Sequence, residues 1–175
     1  MDIIENSLAA GATLVSVLVV DDAHANMLSV TVEDNGRGMP EHLLEQAADP
    51  FYTTRTTRRV GLGLSLFRQT ARRCDGDMLL SSHEHGGTKV QATFRRDCID
   101  LPPMGDIAGS LTAILMGSPD ADLVYRHVIA GEEFSLDTRE IKHELDGLPI
   151  SNPEVLRYLS GTLRSWLNAA GRGAT

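Results

Sequence analysis

Polar and apolar positions along this chain recur with two different periods, and the changes of period mark out its elements. From Asp2 to Ala10 the residues Ile3, Ile4, Ser7 and Leu8 fall at helical spacing, and Gly11 stops the run. Thr13–Val20 is a Val- and Leu-rich strand. Met27–Glu33 alternates Leu28, Val30 and Val32 with Ser29 and Thr31, so the two strands read as a hairpin joined through DDAHAN. Pro40 opens a short helix over Glu41–Ala47, whereas residues 50–60 have no usable period, are crowded with Thr and Arg, and read as a loop. An amphipathic helix covers Leu62–Cys74, and Met78–Ser82 with Lys89–Arg95 make a second hairpin across HEHGG. This order predicts an α+β fold: a two-layer α/β sandwich with the helices on one face of a largely antiparallel sheet.

A break falls at IDLPPMGD, where Pro102 and Pro103 interrupt regular structure, and it divides the chain into residues 1–98 and a C-terminal α/β extension, 99–175. The extension reads as a helix at Ile107–Met116, strands at Leu123–Ile129 and Glu133–Leu136, and a helix at Thr138–Leu145. Asn152 and Pro153 then cap a last helix. Its stripe of Val155, Leu156, Leu159, Leu163, Trp166 and Leu167 reads as a surface packed on the rest of the chain.

Composition narrows the function classes. With 175 residues, 42% of them hydrophobic, the chain can bury a real core. A net charge of −8, from 16 Lys+Arg against 24 Asp+Glu, argues against gripping nucleic acid or an anionic membrane. No apolar run is long enough to span a bilayer and no signal core follows the start, so a cytoplasmic protein is expected. Cys74 and Cys98, in neither a CxxC nor a zinc-finger spacing, read as two ordinary thiols of a reducing compartment, with no disulfide.

Three short segments carry candidate chemistry: Glu5-Asn6-Ser7, then Asp34-Asn35-Gly36-Arg37-Gly38, then Gly61-Leu62-Gly63-Leu64. Each alone is weak. Together they describe a nucleotide site. Asp34 at a strand end can accept a hydrogen bond from an exocyclic amine such as adenine's, and Gly36 and Gly38 let a base approach the backbone. The Gly61–Leu64 run at a helix start offers N–H groups and a positive dipole end to phosphates, and the Asn6 amide oxygen suits Mg²⁺. The loop Asp49–Arg59 would be the lid, anchored by Phe51, with Thr53, Thr54, Arg55, Arg58 and Arg59 as donors to triphosphate oxygens. A P-loop is excluded because no glycine is followed by Lys, and a Rossmann fingerprint fails at Leu66.

In order and spacing, ENSLAAGAT, VEDNGRGMP, DPFYTTRTTRRVGLGLSL and GGTKVQATF resemble the N box, the two glycine boxes with the F box between them, and the closing GGT strand of the GHKL ATPase superfamily. The resemblance covers residues 1 to about 96 and implies the Bergerat fold with ATP and Mg²⁺ as cofactors, and it brings Thr88 into the site. LPPMGDI, LDTREIK and NPEVLRYL look like the C-terminal region of the stand-alone ATP-binding proteins encoded with iron-only hydrogenases. That implies a hydrogenase-related regulator or phosphoacceptor as the protein partner; two copies of the chain are also compatible with it.

Asp2 shares a helical face with Asn6, whereas Glu5 points about 100° away. In hydrolysing members of the superfamily a Glu at the position matching Asp2 is the general base, which makes Asp2 the candidate catalytic residue, set for slow hydrolysis by its shorter side chain. Only Met1 precedes the N box, so the expectation is a chain that begins inside its first functional helix and lacks the usual upstream phosphoacceptor. HELDGLPI, with His143, matches a phosphoacceptor box poorly, and His83 and His85 read as exposed turn residues. The resulting expectation is a kinase or ATPase module working with a partner. The alternative is a non-catalytic ATP-sensing module. A mismatch-repair-like clamp fits the short lid poorly.

Overall fold

A computed structural model describes residues 1–47 and 62–173. The elements run α1 (Asp2–Ala9), β1 (Leu14–Asp22), β2 (Met27–Asp34), α2 (Glu41–Ala47), α3 (Leu62–Arg73), β3 (Met78–Ser82), β4 (Thr88–Arg95), α4 (Ile107–Gly117), β5 (Asp122–Ile129), β6 (Glu132–Asp137), α5 (Thr138–Glu144) and α6 (Pro153–Gly173). The strands form one sheet in the order β3-β4-β2-β1-β5-β6. Every neighbouring pair is antiparallel except β1 and β5, which are parallel. The mixed α+β architecture expected from the sequence is therefore present.

The strands of residues 99–175 extend the same sheet that residues 1–98 begin, because β5 lies directly against β1. The near-continuous apolar run of β1 explains this: a strand with Leu and Val on both faces belongs in a sheet interior, paired on both sides. Register places Val15 beside Leu123, Val17 beside Tyr125 and Val19 beside His127. All six are buried and share one face, joined across β2 and β4 by Val32, Val90, Ala92 and Phe94. On the opposite face Ser16, Leu18, Thr31, Gln91 and Leu79 are only partly buried or exposed. Helices α1 and α3 pack on the β1–β4 part of the sheet, and α6 packs on α4 and β6.

Helix α6 begins where expected, with Asn152 Oδ1 accepting from the Glu154 N–H at 2.8 Å. Leu156 and Leu163 are buried, and Val155, Leu159, Trp166 and Leu167 pack against the same core, so the stripe is an internal surface. Among the described residues no helix is long and apolar enough to cross a membrane.

The thiol expectation is overturned. Cys74, just past α3, and Cys98, just past β4, form a disulfide, with Cα atoms 5.4 Å apart. The cause is tertiary: Phe67 of α3 packs edge-on to Phe94 of β4 at 5.3 Å, which brings the ends of the two elements together. A spacing of 24 residues carries no trace of that, and the inference of a reducing compartment loses its basis.

Under α6 lies a buried aromatic cluster. His127, 2% exposed, shares a 2.7 Å hydrogen bond with the Tyr125 hydroxyl, and its ring stands 5.5 Å from that of Trp166. Burial pushes the His127 imidazolium down to about 4, opposed by the nearby Asp21 charge, and burial also raises the Tyr125 phenol. The folded protein thus keeps His127 neutral at pH values where the unfolded chain binds a proton. Its contribution is complete above about pH 6.5 and is lost as the pH falls toward 4. Unfolding free energy measured by urea titration should fall by about 3 kcal/mol more over that interval in the wild type than in His127→Phe. Parallel pH profiles would contradict this.

Candidate nucleotide site

The centre of the site is Asp34, the last residue of β2 and 9% exposed. Its Oδ1 accepts from the Gly36 N–H at 2.9 Å and the Thr88 N–H at 3.3 Å, and its Oδ2 accepts from the Ser7 hydroxyl at 2.6 Å. That hydroxyl has one proton. The Ile3 carbonyl at 3.2 Å is the longer alternative, so the carboxylate takes it. A carboxylate offers about four acceptor positions, and among the described residues three are filled, by these donors. The one left on Oδ2 suits an exocyclic amine.

Three elements therefore converge on one carboxylate: α1 through Ser7, the turn after β2 through Gly36, and the start of β4 through Thr88. Asn35 locks the turn in place, its Oδ1 accepting from the N–H groups of Thr13 and Leu14, both at 2.9 Å, and its Nδ2 donating to Thr13 Oγ1 at 2.8 Å. The Arg37 N–H donates to the Ala10 carbonyl at 3.1 Å, fixing the turn to the end of α1. Ser82, 5% exposed, ties in the far side: it accepts from the Met39 N–H at 2.8 Å and donates to the Gly87 carbonyl at 2.7 Å. With its only proton spent there, its 3.0 Å contact with Thr88 must be donated by the threonine hydroxyl.

The glycines divide by what a side chain would meet. At Gly36 a Cβ would crowd Asp34 Oδ1 at 3.0 Å and the Ala10 carbonyl at 3.1 Å, so this position borders the carboxylate. Gly38, at φ +65°, faces the β3–β4 turn, with the His83 carbonyl oxygen 1.9 Å from a built Cβ. It seats the Asp34 loop on that turn. Gly63, in the first turn of α3, abuts α1: a Cβ there would lie 2.8 Å from Asp2 Cβ and 3.0 Å from Asp2 Oδ2. Asp2 thus sits against the N-terminal end of α3, where a carboxylate is favoured by the unpaired amides and the dipole. Asn6 is exposed on α1, one turn beyond Asp2, and Leu64 is half-buried against the core. Thr53, Thr54, Arg55 and Gly61 lie outside the described residues, as do the rest of the expected lid and the side chain of Leu62.

Mg·ATP fits these residues. Asp34 keeps one acceptor for the base, Gly36 leaves open backbone beside it, and Asn6 offers a hard oxygen on the helix that meets the start of α3. His83 and His85 are exposed in the β3–β4 turn, the His85 N–H bonded to the Arg37 carbonyl at 2.7 Å, and His143 is exposed on α5. Two buried hydroxyls have a part that the sequence does not assign them, although Ser7 belongs to the Glu5-Asn6-Ser7 segment. Ser7 had a signal, a polar residue at helical spacing among Ile3, Ile4 and Leu8; Ser82 had none.

Residues 1–97 match the family model of histidine kinase-, DNA gyrase B- and HSP90-like ATPases, which is more than half of the chain. The chain belongs to this ATPase family. Its ATPase domain is 33% identical over 88 residues to sporulation kinase A of Bacillus subtilis, covering 50% of this chain and 14% of that one. It is 39% identical over 77 residues to the tetrathionate sensor histidine kinase of Salmonella typhimurium, covering 44% and 12%. With the C4-dicarboxylate transport sensor protein of Pseudomonas aeruginosa it shares 36% over 76 residues, covering 43% and 12%. The chain therefore spans only 12% to 14% of the length of these relatives. Among solved structures, the N-terminal domain of a DNA repair protein matches 78% of this chain and 50% of its own, at TM-score 0.51 and 15% identity, a likeness of fold. The catalytic domain of a histidine kinase matches 54% and 62%, at TM-score 0.43 and 25% identity. Residues 1–97 are a histidine kinase-like ATPase catalytic domain.

Proposed function

We propose that the ATPase domain binds ATP with Mg²⁺ and serves as a kinase or slow ATPase module for a partner protein. The observation that carries this reading is the Asp34 carboxylate, buried, held by donors from three elements, and left with one acceptor for an amine. Asp34, Gly36, Gly38 and Thr88 would hold the base, Asn6 would hold the metal, and Thr53, Thr54, Arg55 and the Gly61–Leu64 run would supply donors to the phosphates. The cofactor supplies a transferable phosphoryl group. Asp2 orients or deprotonates the attacking hydroxyl or water. The resemblance of the second half to hydrogenase-associated ATP-binding proteins supports a partner in a redox system of that kind. The chain with γ-labelled ATP and candidate partners should give a labelled partner or released phosphate, and the absence of both contradicts a catalytic role.

One observation favours a second reading. The Asp2 carboxylate lies against the first turn of α3, an arrangement that stabilises that helix. In a nucleotide-sensing module, ATP would change partner binding and Asp2→Asn would leave that change intact; in a catalytic one, Asp2→Asn abolishes turnover.

Ser7→Ala separates orientation of the base reader from its charge. Loss of one buried hydrogen bond to a carboxylate should weaken ATP binding about 5- to 20-fold, roughly 1–2 kcal/mol, with the circular dichroism spectrum unchanged. Unaltered affinity would show that Ser7 does not hold Asp34 for the base.

A further inference from the structure

At the end of the sheet away from Asp34, a cavity of about 410 Å³ is walled by Leu28, Leu101 and Met104 and carries Asp21, Arg96 and Cys98 on its lining. This volume lies in the range of small-molecule sites. The two cysteines of the disulfide differ in their access to it. Cys98 lines the cavity and is 8% exposed, whereas Cys74, just past α3, is fully buried. Arg96 is two residues from Cys98, and its Nε donates to Asp21 Oδ1 at 2.5 Å. The outer nitrogens of that guanidinium make no hydrogen bond among the described residues and border the pocket that Cys98 also lines.

We propose that the Cys74–Cys98 bond is a thiol-exchange site, entered through this cavity at the Cys98 sulfur by a small thiol that carries a carboxylate. Arg96 receives the carboxylate, and Leu28, Leu101 and Met104 receive the carbon chain. The incoming thiolate forms a bond to Cys98 Sγ, the Cys74–Cys98 bond breaks, and the electron pair leaves with Cys74, which takes a proton from solvent. A second thiolate attacks the other sulfur of the mixed disulfide and releases the oxidised small thiol and the Cys98 thiolate. Two thiols are oxidised and one protein disulfide is reduced. Exchange unties the end of α3 from the β4–α4 connection; the opposite end of the same helix meets Asp2 at Gly63. The chemistry is independent of the nucleotide reading, and its test needs no nucleotide.

The test uses the full-length oxidised chain, exposed briefly to 3-mercaptopropionate or to the neutral 2-mercaptoethanol at equal thiolate concentration. The reaction is quenched in acid and mapped with trypsin, which places Cys98 on the peptide starting at Asp97 and Cys74 on the peptide starting at Cys74. The expected adduct is on Cys98, at about fivefold or more over Cys74. Mercaptopropionate should react about three- to tenfold faster, a preference that Arg96→Gln removes and that high salt diminishes in the wild type. Free thiols in the untreated chain, a bond that opens only after unfolding, equal labelling of both cysteines, or a preference that survives both Arg96→Gln and high salt would each overturn the proposal.

Discussion

Asp34→Asn should lower ATP affinity by roughly two orders of magnitude or more while leaving the fold in place. The amide can keep its oxygen toward the Gly36 and Thr88 N–H groups and turn its nitrogen toward Ser7. The Ser7 hydroxyl then accepts that N–H and swings its proton to the Ile3 carbonyl, which lies 3.2 Å away. Every buried group in the substituted site stays paired, so stability should change by less than about 1 kcal/mol. The position where an adenine amine would donate now presents a donor of its own. Two N–H groups face each other, and neither has an acceptor. Equilibrium titration with Mg·ATP beside a urea unfolding curve separates the two effects. Undiminished binding in the variant would remove Asp34 from the role of base reader.

Gly87→Ala should act through the backbone instead, with a loss of several kcal/mol in stability and of nucleotide binding with it. A Cβ at Gly87 would stand 1.8 Å from the Asp34 carbonyl oxygen and 3.1 Å from Asn35 Cα. Those are main-chain atoms of the strand end and turn that hold the site, and the substitution can be accommodated only by moving them. The residue also has φ +77°, which adds strain of about 1–2 kcal/mol for an alanine. Gly11 supplies the control: its φ is +79°, yet nothing lies within 4 Å of a built Cβ. Gly11→Ala should therefore show the strain alone. The difference between the two variants in urea unfolding measures the close approach of the β3–β4 turn to Asp34. Equal losses would contradict the account of that contact.

Most of the fold was legible because most of it is local. Hairpins at DDAHAN and HEHGG, the amphipathic α3 and the Asn152–Pro153 start of α6 each declare themselves within a dozen residues. Asp34 was legible for a related reason, since an acid at a strand end before spaced glycines is an uncommon local arrangement. What stayed hidden depends on residues distant in sequence. β5 lies beside β1 although more than 100 residues separate Leu14 from Asp122, and the only local hint is that β1 is apolar on both faces. The Cys74–Cys98 pairing follows from the packing of Phe67 on Phe94, which no cysteine spacing encodes. Ser7 and Ser82 act as single hydroxyls placed by three or four segments at once. In the sequence a serine on a helix and a serine ending a strand look ordinary. Gly38, expected to leave room for a base, also has the His83 carbonyl of the β3–β4 turn against it, a contact the sequence does not show.

The central claim is that one amine-reading carboxylate makes this domain an adenine nucleotide site. Calorimetric titration of the wild-type chain with ATP in Mg²⁺, run beside GTP, tests it most directly. ATP should saturate a single site per chain, with GTP weaker by roughly 30-fold or more, because the guanine 6-oxo group would bring an acceptor against the Asp34 carboxylate. No heat of ATP binding at millimolar nucleotide, or equal affinity for GTP, would contradict the account.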